Sequence, residues 1–453
     1  MRLAARRFVV FDVSPMMIKR ILLAGLLLTA AAGASVSAQP GGIVLVIADG
    51  TSQELITATR NFALGPAGRL ELDKFPHTAF VRTYSASDLV TDSGAAATAI
   101  ARGIKADNRV IGMAAPDSTG SPASLLDLAR NAGWSTGIVT DDSVTGATPA
   151  AFLVEHPNRN QPDQIARKIL PQLGPRADLV MGGGTRWFQD LSGKPGAAYA
   201  PGQLPIVQST AAALKAAPVK VFDSWEALRD YRPEKGASAP VLGTFHPDVF
   251  PFHADGKRTL RLRDMVEKAV ELLRARGKPF FLMVEAGLPD KACHQNQARR
   301  AFGEVMELDA TLAWLRENLT PDTLVVVTTD HSTGGLAFSG PSAPVKLRGD
   351  ALLGVNPLNN FEYLTWASGP GANRETANVR PAPTSGAPAP AEAKLPTDPD
   401  YMQPALVPAG SASHTGGDVW LVAGGPGSET FSGSLDNTDI YRLLAGAISR
   451  PGR

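Results

Sequence analysis

Four stretches of this chain share one construction, and that construction limits its fold more than any other feature. Gly42–Ala48 is an unbroken apolar run, rich in β-branched residues, that stops at Asp49-Gly50. Residues 135–140 stop at Asp141, residues 279–284 at Glu285, and residues 323–329 at Asp330. Continuous apolar runs of this length suit strands buried on both faces, and polar punctuation at their ends suits the exit of a strand into a loop. With helical patterns between them, they predict an α/β fold: a three-layer sandwich whose central, mostly parallel sheet carries helices on both faces. Ligands in such folds bind beyond the carboxyl ends of the strands. Asp49, Glu285 and Asp330 therefore gather at one edge, and three acidic residues at one edge suggest a metal site.

Helices are expected over Ser93–Arg102, 121–131, 260–276, 291–318 and Asn437–Ile448. Residues 185–255 are weakly periodic and bear Pro, Gly and Trp; they read as an insertion decorating the sheet. The Pro- and Ala-rich stretch 369–410 reads as a long surface loop or flap, and a smaller inserted or crown region is expected beside the main body. No repeat array is present. The 453 residues, 44% of them apolar, are ample for a large core, and 44 Lys and Arg against 43 Asp and Glu give a formal charge of +1. That balance supplies no electrostatic reason to expect nucleic acid or an anionic membrane as a partner.

Residues 1–38 read as a signal peptide rather than as fold. Met17-Ile-Lys-Arg is a positive segment, the run from Ile21 is short and apolar, and Val36-Ser37-Ala38 offers small residues for cleavage. Arg6-Arg7 resembles a twin-arginine signal, but the apolar run follows the later Lys-Arg more closely, and translation from Met16 or Met17 fits equally well. The run is too short and Ala-rich for a membrane span, and the junction lacks the Cys of a lipoprotein. The expected mature chain, 39–453, is periplasmic or secreted, with no membrane span after processing. Its single cysteine, Cys293, rules out an intramolecular disulfide.

Five segments carry groups that could bind metal or attack an electrophile. They are Asp49-Gly50; Thr91-Asp92-Ser93-Gly94-Ala95-Ala96-Ala97-Thr98; Glu285…Asp290-Lys291-Ala-Cys293-His294; Thr329-Asp330-His331; and Ser413-His414-Thr415-Gly416-Gly417. With Ala147-Thr148-Pro149-Ala150-Ala151 followed by Arg159, their order and spacing from Gly42 to about Ser449 resemble the alkaline phosphatase family. The match is thinnest over 185–255 and 340–410.

The resemblance implies hydrolysis of phosphate monoesters, small ones in particular, through a phosphoserine on Ser93. It implies two zinc ions and one magnesium ion, and leaves a homodimer open. Asp290 and His294, four residues apart, fall on one helical face and suit zinc; the resemblance adds His414 as third ligand of that ion. Asp49, Asp330, His331 and the Ser93 oxygen would hold the second zinc. Ser93 opens a helix, where free N–H groups favour phosphate, and coordination would make its hydroxyl a competent nucleophile. By the same resemblance Asp92 orients an arginine or the local backbone, Arg159 grips phosphate oxygens with its planar fork, and Lys291 reaches phosphate through water. Asp49, Thr148 and Glu285 would form the oxygen-rich magnesium site. The chain departs from the family at Gly146, where relatives carry Asp or His, so that site is expected to bind magnesium weakly.

Plainer readings stand beside these. A strand-end Asp commonly caps a helix, Ser93 could be a helix cap, and His77, His156, His246 and His253 read as structural. Cys293 reads as packed, and Gly182-Gly183-Gly184, lacking the Lys-Ser/Thr tail of a phosphate loop, as a turn. A metal-dependent phosphodiesterase of the same superfamily is the alternative activity. A sulfatase would need a different nucleophile motif, and a non-catalytic phosphate- or metal-binding protein would have lost a ligand or Ser93.

Overall fold

The computed structural model describes residues 40–450 except 116–120, 195–197, 235, 237, 320, 339–347, 356–361, 374–377 and 379–393. The signal-peptide segment and much of the expected flap lie outside the described residues. Among those described, ten strands form one sheet: β1 Gly42–Ala48, β2 His77–Arg82, β3 Ser135–Ser143, β4 Leu179–Gly183, β5 Lys220–Phe222, β6 Val241–Thr244, β7 Phe280–Ala286, β8 Thr323–Thr328, β9 Val419–Gly424 and β10 Gly433–Asp436. Their spatial order is β10-β2-β9-β8-β1-β7-β3-β4-β6-β5. Only β9 runs against its neighbours, pairing antiparallel with β2 and β8; the expected mostly parallel sheet is present.

β1 lies at the centre because both of its faces are apolar. Ile43, Leu45 and Ile47 point into one core, with helices Ser93–Arg102, Leu125–Asn131, Ala147–Leu153 and Asn437–Ile448. Val44, Val46 and Ala48 point into the other, with helices Gln53–Ala63, Leu262–Arg274 and Ala298–Asn318. Side chains alternate across a strand, so an unbroken apolar run requires a helix layer on each side. The register then places the strand ends level: Ile47 pairs with Glu285 of β7 and Thr328 of β8, and Thr140 of β3 also pairs with Glu285.

Three local differences from the sequence reading have physical causes. First, β3 continues past Thr140 through Asp141 and Asp142, with its register against β4 shifting between Val139 and Ser143. Second, residues 185–255 do more than decorate the sheet: they supply β5 and β6, which extend its parallel edge beyond β4. Their signal was hidden because β5 is three residues long and largely exposed. Third, the helix expected over 291–318 is two helices, Leu288–His294 and Ala298–Asn318. The break falls at Asn296, whose φ of 54° lies in the left-handed region that Asn tolerates better than most residues. Its side chain holds the corner, donating from Nδ2 to the Ser368 carbonyl (3.0 Å) and accepting at Oδ1 from the Gly371 N–H (3.0 Å). Shorter adjustments occur elsewhere; the 121–131 helix starts at Leu125 because Ser124 caps it. Strand Leu364–Gly369, paired with Ala337–Phe338 and Ala405–Pro408, forms a separate three-stranded sheet.

Asn296→Ala should therefore lower stability by about 1–3 kcal/mol, from lost buried hydrogen bonds and an unfavourable backbone angle. Chemical unfolding of parent and variant, loaded alike with metal, measures it.

Candidate functional site

The level strand ends bring the acidic residues together. Asp49 follows β1 and is fixed by its own N–H, which donates to the Ala286 carbonyl of β7 (3.0 Å). Gly50 then turns with φ of 66°, and a Cβ there would lie 2.6 Å from Asp290 Oδ1. Only glycine lets the chain leaving β1 pass that close to the Asp290 side chain. Asp330 follows β8; its Oδ1 accepts from the N–H groups of Gly50 (3.1 Å) and His331 (2.9 Å).

Two groups of three result, and both were expected from sequence. Asp49, Asp330 and His331 are buried and offer ligand atoms within 4.8 Å of one another; so do Asp290, His294 and His414. His331 Nε2 lies 3.6 Å from Asp49 Oδ1 and 3.2 Å from Asp330 Oδ2. Neither of those buried oxygens makes a hydrogen bond of good geometry. His294 Nε2 lies 3.2 Å from Asp290 Oδ2 and 3.2 Å from His414 Nε2. The other ring nitrogens are held by main-chain carbonyls: His294 Nδ1 by Ala412 (2.6 Å) and His414 Nδ1 by Thr91 (3.0 Å). That pattern leaves both Nε2 atoms turned inward, as the outer contacts of metal-bound imidazoles do. The groups adjoin, the His331 and His414 rings stacking with centroids 3.6 Å apart. Unpaired buried oxygens of Asp49 and Asp330 beside His331, and two imidazole Nε2 atoms converging on buried Asp290, fit a divalent cation in each group.

Ser93 sits between helix and metal groups. Asp92 is the helix cap, accepting at Oδ1 from the Ala95 N–H (3.0 Å), which leaves the Ser93 hydroxyl free of that task. Ser93 Oγ instead lies 3.0 Å from His331 Nε2. Asp92 Oδ2 accepts from Arg159 Nη1 (2.9 Å) and from the Arg109 N–H (3.0 Å), so Arg159 is tied to the start of the serine's helix. Lys291 pairs with Asp142 (3.0 Å) rather than pointing freely into the site. Thr148 Oγ1 is buried with no hydrogen-bond partner, and Glu285 accepts from the Thr140 hydroxyl. Cys293 is buried in the core and outside both groups; His77, His156, His246 and His253 lie outside them as well.

Sequence reasoning overlooked several contributors. Thr333 donates to Asp290 Oδ1 (2.6 Å) and lies 3.3 Å from His331 Nδ1, linking the two groups. Asp141 accepts from the Gly287 N–H (2.7 Å) and from Arg258, which also holds Glu304 (2.9 Å), bracing the turn before Asp290. Asp142 is the third. Each belongs to a motif already noticed, two residues beyond His331 or at the end of β3, but nothing in spacing alone marks it.

Electrostatics follow from burial. Burial, reinforced by Asp142, pushes the Glu285 carboxyl up to about 8. Burial together with Asp330, Asp290 and Glu285 raises Asp49 well above the ordinary range, and burial with Asp290 raises Asp330 to about 6. Burial opposes ionisation of Asp290 too, but the His294 bond and the Lys291 charge outweigh it and hold that carboxyl low. Burial keeps His331 neutral, and His414 adds to the effect.

A profile of the family described as "Alkaline phosphatase" matches residues 42–449. Among curated proteins, a membrane-bound alkaline phosphatase of Bombyx mori is 29% identical, over 91% of this chain and 80% of its own length. An alkaline phosphatase of Gadus morhua is 27% identical over 89% and 90%. Among solved structures, the alkaline phosphatase of Thermus thermophilus superposes with a TM-score of 0.67 at 26% identity, covering 93% of this chain and 96% of its own.

The carboxylates give the metal-free protein a defined pH dependence. An unfolded Glu or Asp ionises near pH 4, whereas Glu285 retains its proton to about 8 and Asp49 is raised as well. The folded state then binds more protons than the unfolded one, so stability falls as pH rises through this interval. The chelated protein should lose on the order of 1–2 kcal/mol between about pH 6.5 and 8. Thermal unfolding after chelation tests this, and adding back a divalent cation should flatten the dependence.

Proposed function

The chain belongs to the alkaline phosphatase family and hydrolyses phosphate monoesters, and we propose that Ser93 carries the reaction as a covalent nucleophile. The observation that supports this most directly is the placement of the Ser93 hydroxyl at a helix start capped by Asp92, beside two groups of metal ligands and with Arg159 tied to that cap. Family members depend on metal. We assign zinc to Asp290, His294 and His414 and to Asp49, Asp330, His331 and Ser93, because imidazole and carboxylate donors suit it. Magnesium is assigned to Asp49, Thr148 and Glu285, all hard oxygen donors. Bound there, the cations would supply Lewis-acid stabilisation of the oxygens entering and leaving phosphorus.

The protein's own groups account for the rest. Arg159, with a planar fork anchored on Asp92, grips two non-bridging phosphate oxygens, and the N–H groups opening the Ser93 helix add to that field. Ser93 Oγ gives up its proton to solvent and bonds to phosphorus as the ester P–O bond breaks, and the departing alkoxide takes up a proton to leave as the alcohol. Water then attacks the phosphoserine, losing a proton while Oγ regains one as the Oγ–P bond breaks and phosphate is released. Positioning and charge stabilisation do most of this, as in other phosphoryl transfers. Lys291 serves phosphate indirectly. Residues 1–38 direct export, so the enzyme works in the periplasm or outside the cell. Among the described residues no helix is long and apolar enough to cross a membrane.

Steady-state rates on a monoester, a diester and a sulfate ester, before and after chelation, test the reading. The monoester should be far the best substrate, and chelation should abolish turnover until zinc is returned. A diester hydrolysed fastest would favour the phosphodiesterase alternative.

Ser93→Ala should remove most activity, keep its zinc, and leave a small rate from direct attack by water. Acid-quenched phosphorylation, present in the parent and absent in the variant, reads the intermediate. Near-parental turnover would place the nucleophile elsewhere.

A further inference from the structure

Gly146 offers no side chain where the resemblance to the family implies Asp or His, but an acidic side chain reaches the space beside it from elsewhere in the chain. The extension of β3 delivers Asp142 there. A Cβ built on Gly146 would lie 3.7 Å from Asp142 Oδ2, and one built on Gly287 would lie 3.5 Å from Asp142 Oδ2 and 3.4 Å from the Glu285 carboxyl carbon. Asp142 and Glu285 therefore both approach Gly287, and Asp142 alone of the two reaches Gly146. They are also joined through Thr140, whose Oγ1 accepts from the Asp142 N–H (2.9 Å) while its hydroxyl hydrogen goes to Glu285. Thr148, in the first turn of the helix that Gly146 caps, keeps a fully buried hydroxyl with no partner. Asp142 Oδ2 holds the Lys291 ammonium at 3.0 Å, and Oδ1 accepts from the Ser143 N–H at 2.6 Å.

We propose that Asp142, four residues before Gly146, supplies the carboxylate that supports the magnesium site of Asp49, Thr148 and Glu285 from outside the ligand set, holding water of the cation and fixing Lys291 beside it. This rests on the third-cation reading given above. It replaces the expectation that Gly146 leaves the site weak, since a carboxylate reaches the site from another part of the chain. Glycine at 146 is also what makes room: a Cβ there would sit 2.9 Å from the Ser143 carbonyl oxygen, so a larger residue would displace the turn that presents Asp142. Positioning, with hard-cation affinity as its readout, is the role assigned to Asp142; no bond to substrate is involved.

Manganese substitutes for magnesium and is visible by electron paramagnetic resonance, so titrating Mn2+ into zinc-loaded protein measures the third site without reference to turnover. The parent should bind one Mn2+ that Mg2+ displaces. Asp142→Asn should raise its Kd about 10–100-fold while retaining two zinc ions per chain by elemental analysis. Gly146→Asp should not tighten Mn2+ binding, because the carboxylate is already supplied. The proposal is overturned if Asp142→Asn binds Mn2+ like the parent while Glu285→Gln loses it; the third site would then stand without Asp142. Tightening of tenfold or more in Gly146→Asp would overturn it independently, showing that the place had been empty. A parent that binds no Mn2+ beyond its zinc would sink the third-site reading and this proposal together.

Discussion

Everything at the active end of this molecule depends on how Asp49, Glu285, Asp290 and Asp330 are kept together out of water. Four carboxylates held this close repel one another, and burial denies them solvation. The fold answers part of the cost with hydrogen bonds from Gly50, His331, Thr140 and Thr333 to Asp330, Glu285 and Asp290. Some buried oxygens, Asp49 Oδ1 and Asp330 Oδ2 among them, remain unanswered. A divalent cation supplies what these oxygens lack, and the same deficit that weakens the bare protein is what gives the site its affinity for metal.

Such a cluster can be tolerated only on a rigid platform. The parallel strands β1, β3, β7 and β8, apolar on both faces, supply it, and their register puts each acidic residue at one edge. Behind that edge a second set of charges works as scaffold. Arg258, fully buried between Asp141 and Glu304, anchors the Gly287 turn through Asp141 and thereby sets the helix that presents Asp290, Lys291 and His294. Removing one partner of such a buried network costs more than the network contributes, because the others are left uncompensated.

Much of this could be read from the chain. The four apolar runs announced the parallel sheet, and their acidic punctuation announced the metal edge, because both are local patterns with a physical cause. Asp290 and His294 share a helical face and were legible as a pair. What escaped depends on contacts distant in sequence. Nothing in Thr333 or Arg258 distinguishes it from its neighbours until the strands assemble. Asp142 escaped for a subtler reason: the apolar pattern of β3 ends at Thr140, while the strand continues for three residues held by pairing rather than by hydrophobic alternation. The short, exposed β5 and the Asn296 corner were missed because tertiary hydrogen bonds, not propensity, decide them.

The ring that closes one metal group comes from near the far end of the chain. His414 is held by the Thr91 carbonyl, 323 residues away in sequence, and its two-residue strand pairs with Ser332–Thr333. β9, which follows directly, is the single strand inserted against the direction of the sheet, between β8 and β2. Contacts of that separation carry the largest chain-closure penalty and are slow to form. A ribosome-bound or partly threaded chain lacking this segment can present at most two of the three donors, Asp290 and His294, with little hold on a cation. Capture at this group is thereby deferred until the chain has extended past residue 414, whereas Asp49, Asp330 and His331 can meet without it, so chain order sets which of the two groups can fill first.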